Sequence, residues 1–210
     1  SGQNLGDDGA AYVVEALAFN AACQALDLSK NGLGAAGAAR LGEVLPTTAV
    51  AALSLATNSL RDEGASLLAR RLAGNAVLSS LDLSGNGIGD AGAAALAEAL
   101  KLNTSLLRLD RSGNVIDAGG AAALAAALGE AGSGALEALD LGDNYLGAAG
   151  AASFAEALRG NRALRELRLK GNDVGDEGFA AICEALMVRF FCFCFFSAGV
   201  SFWFRHAGAT

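Results

Sequence analysis

Asp82, Asp110 and Asp140 lie 28 and 30 residues apart, each just after a leucine that itself recurs at the same spacing. Carboxylates brought side by side could share a proton as an acid–base pair, hold a cation, or receive a Lys or Arg from a partner. Ser84 and Ser112 would need a base to become nucleophiles, and the sole histidine, His206, lies far along the chain from both. Cys192-x-Cys194 with His206 offers too few ligands for a closed zinc site. Gly85-x-Gly87-x-Gly89 has neither the spacing of a dinucleotide fingerprint nor the Lys-Ser/Thr of a phosphate loop. The residues therefore imply no enzyme, no metal and no cofactor. Contact with a partner remains, set against the plainer alternative that these carboxylates are simply solvated.

The elements that must carry them follow from a repeat. Asparagine recurs at Asn31, Asn58, Asn86, Asn114, Asn144 and Asn172, at spacings of 27, 28, 28, 30 and 28 residues. A fixed period of this size marks a stacked solenoid rather than one globular core. Ahead of each Asn stand the pairs Leu26/Leu28, Leu53/Leu55, Leu81/Leu83, Leu109/Arg111, Leu139/Leu141 and Leu167/Leu169, whose alternation predicts a short strand with one inward face. Another apolar residue precedes each pair by three positions, as Cys23, Val50, Leu78, Leu106, Leu136 or Leu164. After each Asn come an apolar slot and then a glycine: Gly37, Gly64, Gly92, Gly120, Gly150, Gly178. Apolar residues four and eight positions beyond that glycine, such as Leu96/Leu100 and Phe154/Leu158, predict the inner stripe of a helix. One strand–loop–helix unit cannot bury both of its apolar faces alone, so neighbours must stack. Helices about 10 Å wide beside strands roughly 4.8 Å apart bend the stack into an arc. The fold class is an α/β solenoid, with parallel strands on the concave face and helices on the convex face. The Asn column is expected to satisfy the polar backbone of the turning loops, and the Gly column to permit close helix–loop approach.

This geometry assigns the residues between the inward leucines to the concave floor. The central column is Asp27, Ser54, Asp82, Asp110, Asp140, Arg168. Ser29, Ser84, Ser112 and Lys170 follow on one side, with Ser80, Arg108 and Glu166 on the other. The floor is small and polar, acidic at its centre and more basic toward the last repeat. It holds no Trp, Tyr or Phe anchor of the kind that dominates tight interfaces.

The phrase Leu81-Asp82-Leu83-Ser84-Gly85-Asn86-Gly87-Ile88-Gly89-Asp90-Ala91-Gly92 and its sister copies resemble the leucine-rich repeat family. The 28-residue helical form is similar to its ribonuclease-inhibitor-like subclass, which includes Ran GTPase-activating proteins and the sensing ends of NOD-like receptors. That resemblance implies an interaction scaffold binding a protein on its strand face. A GTPase-activating role on a small GTPase and a receptor's sensing region are the alternatives it raises. No residue matches closely enough to be assigned as a catalytic helper.

Several features depart from the pattern. Residues 1–25 read as a truncated first repeat, with Gln3 in the Asn slot and Gly9 in the Gly slot, ahead of repeats over 26–186. Arg111 replaces a core leucine, so it is expected to snorkel out, find a partner or distort its strand. Gly129 to Gly134 form a slack insertion, and Pro46 ends a helix. From Met187 the repeat gives way to an aromatic tail, 187–210. Three readings stay open for it: a cap placing Phe195 in a strand slot, a membrane contact, or a segment foreign to the fold. As a helix its uncharged run, 190–204, would reach about 22 Å, short of the roughly 30 Å of a bilayer core. A net charge of −7 and a pI near 4.7 argue against nucleic acid and favour a basic partner. The four cysteines form no disulfide framework, so free thiols in a reducing, cytoplasmic setting are expected.

Overall fold

The computed structural model describes residues 2–129, 135–187 and 201–203, the last three as backbone. Among the described residues, seven strands of three residues each form one open sheet in sequence order: β1 (Ala25–Asp27), β2 (Ala52–Ser54), β3 (Ser80–Asp82), β4 (Arg108–Asp110), β5 (Ala138–Asp140), β6 (Glu166–Arg168) and β7 (Ser201–Trp203). The first six are parallel, with Leu26, Leu53, Leu81, Leu109, Leu139 and Leu167 in one register row. Seven helices among the described residues alternate with them: α1 (Gly6–Ala18), α2 (Ala35–Val44), α3 (Arg61–Leu72), α4 (Asp90–Leu102), α5 (Ala118–Gly129), α6 (Gly147–Gly160) and α7 (Gly175–Met187). Each helix packs on the next, and one continuous apolar core runs between the sheet and the helices. The chain is an α/β solenoid arc. α2 stops at Val44 and continues as a short 3-10 turn, Leu45–Thr47, that contains Pro46.

The asparagines do what an unladdered turn demands. Asn114 Oδ1 accepts from the amides of Asn86 (3.0 Å) and Ile88 (2.9 Å) in the preceding repeat. Its Nδ2 donates to the carbonyls of Leu83, Arg111 and Ser112 at 2.9 to 3.2 Å. Asn58, Asn86, Asn144 and Asn172 repeat the pattern, so the column is a polar spine inside the stack. A second such column was not expected. Asn20, Asn75, Asn103 and Asn161 stand at the helix-to-strand turns, where each Oδ1 accepts two amides two and three residues ahead.

The glycine column is a close approach. A Cβ at Gly92 would lie 2.7 Å from Ile88 Cγ2 and 2.8 Å from Asp62 Oδ1. That carboxylate belongs to an unforeseen relay, in which an Asp in the first turn of one helix caps a neighbouring helix. Asp7 Oδ1 accepts from Gly34 and Gly37 at the start of α2, and Asp62 Oδ1 from Gly89 (2.7 Å) and Gly92 (2.9 Å) at the start of α4. The local N-cap residues of these two helices, Gly34 and Gly89, have no side chain with which to cap.

Arg111 corrects an expectation. It neither reaches solvent nor bends its strand: it is fully buried, and its amide still donates to the Asp140 carbonyl at 2.9 Å. Its Nε, Nη1 and Nη2 have no hydrogen-bond acceptor among the described residues. Burial pulls its pKa well below the ordinary arginine range, down to about 9, offset only in part by the charge of Asp62. Replacing Asp62 with Ala should therefore cost about 1–2 kcal/mol as a lost cap, plus the loss of this offset. Urea denaturation checks it: the D62A penalty should shrink in an R111L background, and equal penalties in both backgrounds would show that the two sites are not coupled.

The described tail strand, β7, pairs antiparallel with β6: Leu167 faces Phe202, and Glu166 faces Trp203. The sequence expectation for Phe195 and Cys192 lies outside the described residues. Among those residues no helix is long and apolar enough to cross a membrane.

Candidate functional site

A hollow of about 420 Å³ opens on the concave face over β3 to β6. Its polar lining is Ser80, Asp82, Arg108, Asp110, Asp140, Glu166 and Arg168. Strand pairing brings these residues together, because Asp82 is in register with Asp110 and Asp110 with Asp140. Asp27 and Ser54 line a shallower depression over β1 to β3. Ser29, Ser84, Ser112 and Lys170 line neither hollow.

The serines nonetheless shape the site. Ser84 donates its hydroxyl (2.7 Å) and its amide (3.0 Å) to Asp82 Oδ1, and Ser112 does the same to Asp110 Oδ1 at 2.8 and 2.9 Å. These clamps fix each carboxylate relative to its strand, so the serines position acids rather than line the hollow. Ser54 adds a cross-strand bond to Asp82 Oδ2 at 3.1 Å. At the first strand, Ser29 holds Asp27 below the usual carboxylate range, through its hydroxyl first and its amide second.

The three central carboxylates are not equivalent. Arg168 reaches back to Asp140 Oδ2 at 3.2 Å, and its Nη2 lies 2.5 Å from Glu166 Oε1 without hydrogen-bond geometry. The basic end of the floor thus neutralises its own neighbours. Asp110 is left without a cation among the described residues. Burial raises its pKa above the ordinary 3.8, the Ser112 bonds oppose that rise, and the like charges of Asp140 and Asp82 add to it. Arg108, on the same strand and lining the same hollow, forms no ion pair among the described residues. The arrangement is an anionic seat in a cleft, suited to a guanidinium or ammonium group. Among the described residues no cluster of three or more His, Cys, Asp or Glu is placed to hold a metal ion.

The leucine-rich repeat profile matches residues 24–42, 74–97, 102–125, 136–155 and 160–183, more than half of the chain. The chain belongs to the leucine-rich repeat family. Among solved structures, one titled Leiomodin-1 Actin-Binding Site 2 (ABS2) is similar, with a TM-score of 0.56 and 19% identity. The similarity covers 72% of this leucine-rich repeat chain and 87% of the other, and at that identity it is a likeness of fold. A comparison with curated proteins finds no match.

Sequence reasoning missed one feature of the loops that follow the strands. The slot directly after each column asparagine holds Gly32, Ser59, Gly87, Val115, Tyr145 and Asp173. Val115 and Tyr145 occupy adjacent repeats, linked where the Tyr145 amide donates to the Ile116 carbonyl, and they are 50% and 67% exposed. The signal was there, an aromatic in a column of small and polar residues. The slot lies in the loop between strand and helix, outside the columns that form the floor.

Proposed function

We propose that this leucine-rich repeat protein is a non-enzymatic interaction scaffold that seats a basic side chain of a protein partner on Asp110. The observation that carries the reading is a clamped, partly desolvated carboxylate inside the hollow with no cation of its own among the described residues. A cation there would relieve the repulsion from Asp82 and Asp140. Tyr145 and Val115, in the loops after β5 and β4, supply exposed apolar area. The similar solved structure bears an actin-binding site in its title, which supports protein contact as the class of use. The 28-residue period supports the ribonuclease-inhibitor-like subclass. A Ran-type GTPase-activating role or a receptor's sensing role is not needed to account for the hollow.

Fluorescence anisotropy with a labelled oligoarginine peptide tests the reading. Asp110→Asn should weaken binding about tenfold, the equivalent of ~1.4 kcal/mol, and reversing Asp82, Asp110 and Asp140 to Lys should abolish it. Lowering the pH should weaken binding by protonating Asp110 at a pH above the ordinary carboxylate value of 3.8. Undiminished binding by the triple reversal would move the site off the concave floor.

A further inference from the structure

Two strands of the floor carry a cation and an anion two residues apart, β4 with Arg108 and Asp110 and β6 with Glu166 and Arg168. The β6 pair closes on itself, since Arg168 reaches both Glu166 and Asp140. The β4 pair stays open. The Ser112 hydroxyl and amide hold Asp110 Oδ1 at the end of the strand away from Arg108. Arg108 has Ser80 and Ala138 as its register neighbours, neither of them an acid. It is exposed, and its side chain makes no hydrogen bond or ion pair among the described residues, although it lines the same hollow. The floor therefore presents one unmatched negative and one unmatched positive group, on residues whose Cα atoms strand geometry sets roughly 6.7 Å apart.

We propose that the hollow docks an α-helix of a partner protein carrying a basic and an acidic side chain four residues apart, the base on Asp110 and the acid on Arg108. This inference rests on the reading of Asp110 as a cation seat and adds the second contact. Charge fixes the pair. A wholly basic segment would bring its second cation against Arg108, and a wholly acidic one would meet Asp82, Asp110 and Asp140. The helix follows from the backbone. The face of a sheet offers no main-chain donors or acceptors, so an extended segment laid on it would leave its own floor-facing groups unmet. A helix brings those groups already paired. Four residues of helix rise about 6 Å, close to the spacing on β4, so both side chains descend from one face when the helix lies along that strand. Ser80 and Ala138, the small residues on either side of Arg108, leave room for the acid to reach it.

The probe is a labelled, Ala-rich helical peptide of about 15 residues with one Arg and, four residues after it, one Glu, titrated into the full chain. A second peptide has Gln in place of that Glu, and a third has another Arg there. Setting Arg ahead of Glu weakens their pairing within the free helix. The Arg/Glu peptide should bind wild type about fivefold more tightly than the Arg/Gln peptide, the worth of one exposed ion pair. Arg108→Gln should equalise the two, and Arg108→Glu should make the Arg/Arg peptide the tightest. Both variants should melt with wild type, since Arg108 is exposed and no described bond depends on its side chain. Asp110→Asn should weaken every peptide yet keep the preference for Glu over Gln, so failure of the seat and failure of the second contact are told apart. The inference alone is overturned if wild type binds the Arg/Glu and Arg/Gln peptides equally while D110N weakens both, or if the preference survives in R108Q and R108E. Binding of no peptide, or binding that D110N leaves unchanged, overturns the seat at Asp110 and this inference with it.

Discussion

Replacing Arg111 with Leu should stabilise the protein by about 3–5 kcal/mol at neutral pH, a large gain for one substitution. The reason is in the register. Leu28, Leu55, Leu83, Leu141 and Leu169 fill the same slot in sister repeats and are all buried. Arg111 places a guanidinium there with three nitrogens lacking acceptors among the described residues. Burial pulls its pKa down to about 9, between three and four pH units below the ordinary arginine value. A tenfold loss of proton affinity is worth ~1.4 kcal/mol, so the cation is disfavoured by about 5 kcal/mol. Leucine removes that penalty and restores the apolar row. The pH dependence has a definite sign. Below pH 9 both native and unfolded chains hold the proton, and the full gap between R111L and wild type is present. Above about pH 9 the native chain releases a proton that the unfolded chain, with its ordinary arginine, keeps. Wild-type stability then rises with pH and the gap narrows. Urea denaturation of both proteins at several pH values measures it. A variant no more stable than wild type would mean that the guanidinium is satisfied.

Arg111 also shows where the sequence is legible and where it is not. Its slot could be read from the period alone, as could the leucine rows, the Asn spine and the Asp column on the floor. These depend on repetition, and repetition is visible in one dimension. The fate of the Arg side chain depends on whether its repeat yields or holds, and the pairing of β4 with β5 holds. In the same way, the sequence shows three equivalent aspartates, but the structure makes Asp110 differ from Asp140 because Arg168 folds back across one strand. The capping relay from Asp62 to Gly89 and Gly92 joins residues 27 and 30 apart. Aligning the copies on their apolar columns hides it, since Ala35, Ala118 and Ala148 fill the same slot elsewhere. β7 was beyond reach because an antiparallel strand breaks the rule that every earlier strand obeys.

The spine itself makes the other large effect, and position along the stack should grade it. Asn114→Ala should destabilise by about 4 kcal/mol, taking ~1–3 kcal/mol for each buried donor left unmet. The carbonyls it serves keep other donors: Leu83 retains the Asn86 carboxamide, Arg111 the Asn144 carboxamide, and Ser112 the Gly85 amide. The amides of Asn86 and Ile88 have no second acceptor among the described residues, and both residues are buried. Those two orphaned donors set the cost. At the head of the column Asn31 Oδ1 accepts from Gln3, which is exposed, so water can replace it. Asn31→Ala should then cost less than about 1 kcal/mol. Equilibrium denaturation of the two variants compares them directly. Equal losses would mean that the asparagines act through local turn propensity, the same in every repeat, and not through bonds that tie one repeat to the next.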